Sequence, residues 1–347
     1  MQNCGNCAAM EQFVSSYDKG YKDMSKIRFF AKCILASLPA AALIAFTLMY
    51  PICYMDEEYP AWTYTKLVSE GKECAGEDFD TVILGDSTAM SSIMPNLMGE
   101  GCVNLAVGGA TSIEMYYYME EYLKNHEAPK TAFILFGPFH YWHIDNYETR
   151  TVYFKAIPAS KLKELYENAR LCDASSVWRK GLITDEISAR CGLPNKYLPA
   201  ITAARFTGRY DTNAAAYGDL KTSRGWGSFG DQEECFDESY ETSYEDMEID
   251  GDARLITLYL QKLLRLCADN GIHVKLLQPA VNTATFENIN EHYYGSYRNY
   301  LKQISTVYPE MEYETQLRSY DGKYFADTSH LNKAGAVKYT EEILGAK

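Results

Sequence analysis

Three hydrophobic rhythms divide this chain. An uncharged run of 23 positions, Cys33–Met55, comes first. After a short polar stretch, brief β-branched apolar runs alternate with segments whose apolar residues recur every three or four positions. Asp80–Gly85 reads as a fully buried parallel strand, with a helix starting at about Thr88. Cys102–Val107 is a second strand ending in Gly108-Gly109, and Thr131–Gly137 a third. Thr111-Ser112-Ile113-Glu114 has the spacing of a capping box and opens a helix to about Asn125. Residues 140–250 break the rhythm and predict an irregular insertion, with short helices around Ser160–Ala169 and Ser175–Leu182. The alternation then resumes. Ala253–Asn270 is helical by period, Gly271 stops it, and His273–Pro279 is a fourth strand. A helix around His292–Val307, a weak strand near Glu312 and a closing helix Asn332–Leu344 follow. Alternating β and α elements predict an α/β fold, a parallel sheet with helices on both faces.

The uncharged run is long enough, at about 1.5 Å per helical residue, to cross the roughly 30 Å hydrocarbon layer. Lys19, Lys22, Lys26, Arg28 and Lys32 precede it, and Asp56, Glu57 and Glu58 follow. The positive-inside rule then predicts a cytoplasmic N-terminus and an extracytoplasmic remainder. A cleaved signal peptide needs a shorter apolar core and a small-x-small site. The sequence Pro51-Ile52-Cys53-Tyr54-Met55 offers none, which predicts an uncleaved anchor. The expected organisation is a tail over 1–32, a transmembrane segment over 33–55, a tether over 56–78 and a catalytic domain over 79–347.

Charge narrows the partners. The net charge is −14, and with +2 in residues 1–32 the remainder carries −16, which argues against nucleic acid. Six cysteines (Cys74, Cys102, Cys172, Cys191, Cys235 and Cys267) fall in the outer part, a number that permits disulfides without requiring them. Cys4-x-x-Cys7 lacks a second pair, and His140-x-x-His143 with Asp145 lacks a complete ligand set. No metal or cofactor is expected. The acidic run Asp231–Asp250 reads as a solvated loop, and Tyr116-Tyr117-Tyr118 as helix positions that pack a core.

The candidate chemistry lies at two ends of the α/β pattern. Ser87 ends the first apolar strand, where a helix should begin. Asp327 and His330 stand three residues apart in Asp327-Thr328-Ser329-His330-Leu331-Asn332. A serine hydroxyl becomes a nucleophile when an imidazole takes its proton, and that imidazole must be oriented by a third group. In parallel sheets, sites lie at the carboxyl ends of strands. Ser87, Gly108-Gly109 and Phe139-His140 all follow strand ends and should converge.

With these residues in place, the chain resembles the SGNH (GDSL-like) hydrolase and acyltransferase superfamily. Gly85-Asp86-Ser87, Asn104-Leu105-Ala106-Val107-Gly108-Gly109 and Asp327–Ala336 resemble its first, second and last blocks, over roughly residues 78–140 and 253–345. The resemblance implies a flavodoxin-like three-layer α/β/α fold. It also implies catalysis by Ser87, His330 and Asp327, with an oxyanion hole at Ser87 and Gly108 or Gly109. Gly137-Pro138-Phe139-His140 departs from the third block, Gly-x-Asn-Asp, so the amide donor is missing; either the two backbone donors suffice, or His140, Tyr141 or Asn146 replaces it. Asp86, His140, Tyr141 and Asn146 are the expected pocket residues. An anchored outward-facing domain of this kind is similar to proteins of teichoic-acid D-alanylation and of polysaccharide O-acetylation. There a multi-pass membrane acyltransferase supplies the acyl group and a cell-envelope glycan or teichoic acid receives it. A carbohydrate esterase or deacetylase shares every catalytic residue, and a silent glycan- or partner-binding scaffold would account for the missing amide.

Overall fold

A computed structural model of the chain describes residues 5–49, 56–191, 203–204, 206–230 and 232–345. The first helix, α1 (Gly5–Met49), includes Pro39. Its stretch Asp23–Ala45 is long and apolar enough to cross a membrane, with a mean hydropathy of 1.7 and Phe29, Phe30, Ile34, Leu35 and Leu38 exposed. The expected span began at Cys33; the apolar stretch starts ten residues earlier, and positions 50–55 of the expectation lie outside the described residues.

The segment expected as a tether is instead a packed helix, α2 (Tyr59–Ser69). Its residues Ala61, Tyr64 and Val68, three and four positions apart, share one face buried in the main core, and Trp62 is buried beside them. The elements β1 (Thr81–Gly85), α3 (Ser87–Ser92), α4 (Pro95–Met98), β2 (Cys102–Asn104), α5 (Ser112–Asn125) and β3 (Thr131–Leu135) follow. The predicted capping box is formed. Thr111 Oγ1 accepts from Ile113 N, and Glu114 accepts from Thr111 N at 2.9 Å.

The insertion is more regular than its composition predicts. It holds α6 (Leu162–Cys172), α7 (Lys180–Cys191) and α8 (Arg209–Ser223). Ile144, Val152, Leu165, Val177 and Leu182 build a second apolar cluster against Tyr117 and Tyr259, whose hydroxyls meet at 2.6 Å. The chain resumes with α9 (Gly251–Asp269), β4 (His273–Leu276), β5 (Ala280–Asn282), α10 (Thr283–Asn288), α11 (Glu291–Val307), β6 (Glu312–Tyr313), β7 (Arg318–Tyr320) and α12 (Lys333–Ile343).

The central sheet is parallel throughout, in the order β2-β1-β3-β4-β6. Strands β5 and β7 form a separate parallel pair that the apolar pattern does not reveal. Gly85 ends β1 because a Cβ there would stand 1.8 Å from the Leu135 carbonyl oxygen. Only a glycine lets β1 and β3 meet this closely at the edge that carries Ser87. The six outer cysteines are free thiols, with Cys102, Cys235 and Cys267 buried; Cys4 and Cys53 lie outside the described residues.

Candidate active site at the strand ends

Asp86 is the N-cap of α3, and Ser87 is its first residue. The Asp86 carboxylate accepts from Thr88 N at 2.8 Å and Thr88 Oγ1 at 2.6 Å. Its other oxygen accepts from Gly137 N at 2.7 Å and His140 Nδ1 at 2.6 Å. Burial opposes its ionisation, yet the His140 charge and these hydrogen bonds together hold its pKa below the usual carboxylate value. Burial likewise lowers the pKa of His140, and Asp86 more than compensates, leaving it raised. Asp86 and His140 are therefore struts that fix the turn presenting Ser87, and not pocket lining as expected.

Ser87 Oγ donates to His330 Nε2 at 2.8 Å, and His330 Nδ1 donates to Asp327 Oδ2 at 2.7 Å. Asp327 also accepts from Ser329 N and His330 N, each at 2.8 Å. Burial pushes its pKa up, but the His330 bond and charge and the two backbone donors outweigh that, and the net shift is downward. The loop is folded on itself by Ala326 N donating to His330 O and by the antiparallel bridge between Phe325 and Leu331. Asn332 then caps α12 through Gly335 N, which explains the His-Leu-Asn-Lys-Ala-Gly run in physical terms.

The glycine pair lies on the same edge. Val107 N donates to Gly85 O at 3.2 Å, continuing the β1–β2 pairing past the end of β2 and carrying the chain toward the strand end that holds Ser87. Asn104 is fully buried and tied to Ala89 O, Ile93 O and Ala106 N, so it shapes this loop without facing substrate. No protein-family model matches the chain, and no curated protein matches it significantly. The geometry alone carries the chemical reading.

The segment after β3 supplies no oxyanion amide. Gly137 N and His140 Nδ1 are spent on Asp86, and Phe139 N donates to Glu241 Oε1 at 3.1 Å. Tyr141 is a correction to the expected pocket: it is buried against Phe136, Tyr297 and Tyr300, and its hydroxyl has no hydrogen-bond partner among the described residues. Asn146 is another. It is exposed in the left-handed region at φ 53°, donates to Asp145, and starts the π-helical turn Tyr147–Val152.

The acidic run expected to be solvated reaches into this site. Glu241 is buried, accepts from Tyr293 OH at 2.5 Å, and is pushed by burial up to about 7. Phe229, just before the run, stacks on the His330 ring at 4.4 Å between centroids. Gly230 (φ +74°) follows it, and a Cβ there would meet the Ala326 carbonyl at 2.7 Å. Nothing in the local sequence signals these contacts, because Phe229, Gly230 and Glu241 meet these partners only when distant elements assemble. Among the described residues no group of His, Cys, Asp or Glu is arranged to hold a metal.

Proposed function

We propose that the protein is a membrane-anchored serine acyltransferase of the SGNH type, acting on hydroxyls of a cell-envelope glycan or teichoic acid. The observation that carries this reading is the continuous Ser87–His330–Asp327 relay, with bonds of 2.8 and 2.7 Å, at the carboxyl end of a parallel strand. The strand order supports a flavodoxin-like three-layer arrangement.

In this mechanism Ser87 Oγ attacks the acyl carbonyl of a donor while His330 Nε2 takes its proton. The oxyanion rests on the backbone N–H groups of Ser87 and of Gly108 or Gly109. Collapse breaks the bond to the leaving group, which takes the proton from His330 and departs, leaving an acyl ester on Ser87. An acceptor hydroxyl then gives its proton to His330 and attacks the ester; the Ser87 C–O bond breaks, and His330 returns the proton to Ser87 Oγ. Asp327 holds the imidazole and stabilises its cationic form. Water competes as acceptor because the relay is only half-buried, with the Asp327 side chain 37% exposed. The loss of one oxyanion donor typically costs about 100- to 1,000-fold in rate, so a slow enzyme with a dedicated donor fits. The uncharged run, with Lys19, Lys22, Lys26, Arg28 and Lys32 before it and Asp56, Glu57 and Glu58 after it, supports an extracytoplasmic domain, and an anchored domain suits a multi-pass membrane protein as the donor.

The test is fluorophosphonate labelling of the full-length protein in detergent, read by peptide mass. A single adduct at Ser87, lost in Ser87→Ala, is the expected result. An unlabelled Ser87 in folded protein would sink the mechanism and leave a binding scaffold.

A further inference from the structure

Two groups of opposite charge lie over the glycine loop without closing a hydrogen-bonded ion pair. Glu58 is 8% exposed, and burial raises its pKa against the lowering charge of Arg150. It occupies the space over Gly108, where a Cβ would lie 2.3 to 2.4 Å from its carboxylate atoms. Arg150 reaches over Gly109 in the same way, with Nη1 2.7 Å from where a Cβ would stand, and its buried Nε has no hydrogen-bond partner among the described residues. Arg150 Nη2 and Glu58 Oε1 are 4.0 Å apart, and Arg150 Nε and Asp56 Oδ2 are also 4.0 Å apart. A bonded guanidinium–carboxylate pair closes to about 2.8 Å. These groups attract one another without touching.

Both are held where they are. Trp62 Nε1, on α2 just beyond Glu58, donates to Gly108 O, and Thr65 Oγ1 donates to Leu105 O. Arg150 lies in the π-helical turn, and its neighbour Thr151 donates to Glu114 Oε1 at 2.7 Å. The other oxygen of Glu114 accepts from Thr111, so one carboxylate ties the Arg150 turn to the glycine loop. The edges of Tyr59 and Trp62 pack on Phe154, joining α2 to the same segment. The gap is therefore built by two elements braced against each other.

We infer that Glu58 and Arg150 form an acceptor subsite for a neutral polyhydroxylated ligand, a sugar or polyol presenting adjacent hydroxyls next to Ser87. This rests on the acyl-transfer reading above. A carboxylate accepts from one O–H while a guanidinium donates to the neighbouring oxygen. Opposite charges this close disfavour a simple anion, repelled by Glu58, and a simple cation, repelled by Arg150. Glycine at 108 and 109 leaves room for both side chains over the loop. The subsite would hold the incoming hydroxyl on the side where the acyl ester forms, favouring transfer over hydrolysis.

The test separates binding from chemistry. Maltohexaose, cellohexaose and chitohexaose are titrated by calorimetry into the full-length Ser87→Ala protein in detergent, alone and with Glu58→Gln or Arg150→Lys. Binding of at least one sugar, weakened about tenfold by either change, is expected. No binding by any of the three, or affinities that ignore both changes, overturns the subsite, as does stronger binding of tetramethylammonium or free alanine. These outcomes do not depend on Ser87 reactivity, so they are distinct from failure of the labelling test. In protein with active Ser87, acetyl transfer from p-nitrophenyl acetate to the bound sugar, relative to hydrolysis, should fall about tenfold in Glu58→Gln. An equal fall in fluorophosphonate labelling would assign Glu58 a structural role and overturn the inference.

Discussion

Among the described residues, two aspartate–histidine pairs meet through Nδ1, and one of them turns its second ring nitrogen to a serine hydroxyl. Asp86–His140 and Asp327–His330 are both joined at Nδ1, at 2.6 and 2.7 Å. The difference is surroundings. Asp86 is fully buried and His140 nearly so, whereas the Asp327 and His330 side chains are 37% and 18% exposed. The buried pair has every Asp86 oxygen engaged by the turn it supports. The half-buried pair leaves His330 Nε2 to the Ser87 hydroxyl. An aspartate–histidine contact is thus not in itself a sign of catalysis; what the second ring nitrogen faces decides. Low exposure makes the first pair a structural ion pair, whose removal leaves an uncompensated buried charge.

The comparison predicts crossed effects. His330→Ala should lower acyl turnover by at least about 1,000-fold, as expected when the general base of a serine relay is lost. Its melting transition should stay within about 1 kcal/mol of the parent, because the side chain is at the surface of the site. Turnover assays and thermal unfolding on the same preparation check both. Unchanged turnover would break the distinction between the pairs.

His140→Ala should do the reverse. Asp86 keeps its Thr88 and Gly137 donors but loses its counter-charge, at a cost of about 3–5 kcal/mol. Denaturant unfolding measures it, and the protein that remains folded should still label at Ser87. The pair also sets a pH window. Asp86 has a depressed pKa, so its contribution is present above about 3.9 and lost as pH falls through the lower folded value. His140 has a raised pKa, so its contribution is complete below about 6.5 and lost as pH rises through the higher folded value. In His140→Ala the basic limb should disappear.

The same contrast explains what was readable from sequence. Strand β1, the capping box at Thr111 and the Asp327–His330 loop are local patterns, and they stand within a few residues of where periodicity and capping place them. The packing of α2 was hidden by Asp56, Glu57 and Glu58, whose charge makes the stretch look like a linker although Trp62 and Tyr64 are buried. The β5–β7 pair has strands of three residues, too short to show a period. Glu58, Arg150, Glu241 and Phe229 were invisible for a different reason. Each acquires its role from a partner far along the chain, such as Gly108, Gly109, Phe139 or His330. His140 and Asp86 were visible as polar residues at strand ends, but their burial, which makes them struts, is a property of the assembled layers.

The smallest expected effect concerns Glu241, another acidic group of the strand-end network, which sharpens the comparison because it is buried and held by neutral donors. It accepts from Phe139 N and Tyr293 OH, and burial raises its pKa from 4.5 to about 7. The folded state therefore holds a proton on Glu241 that the unfolded state releases earlier. Its stabilising contribution is full below about 4.5 and is lost as pH rises through about 7. Over that interval the loss amounts to about 3 kcal/mol at most, less if the site relaxes or admits water. Glu241→Gln removes the titration and keeps an acceptor for Phe139 N. Unfolding free energies measured from pH 4 to 9 should show the parent losing stability relative to the variant between about 4.5 and 7, with the curves parallel above pH 8. A parent curve that tracks the variant throughout would mean that Glu241 ionises freely, and that the strand-end network tolerates a second buried carboxylate without the histidine that Asp86 requires.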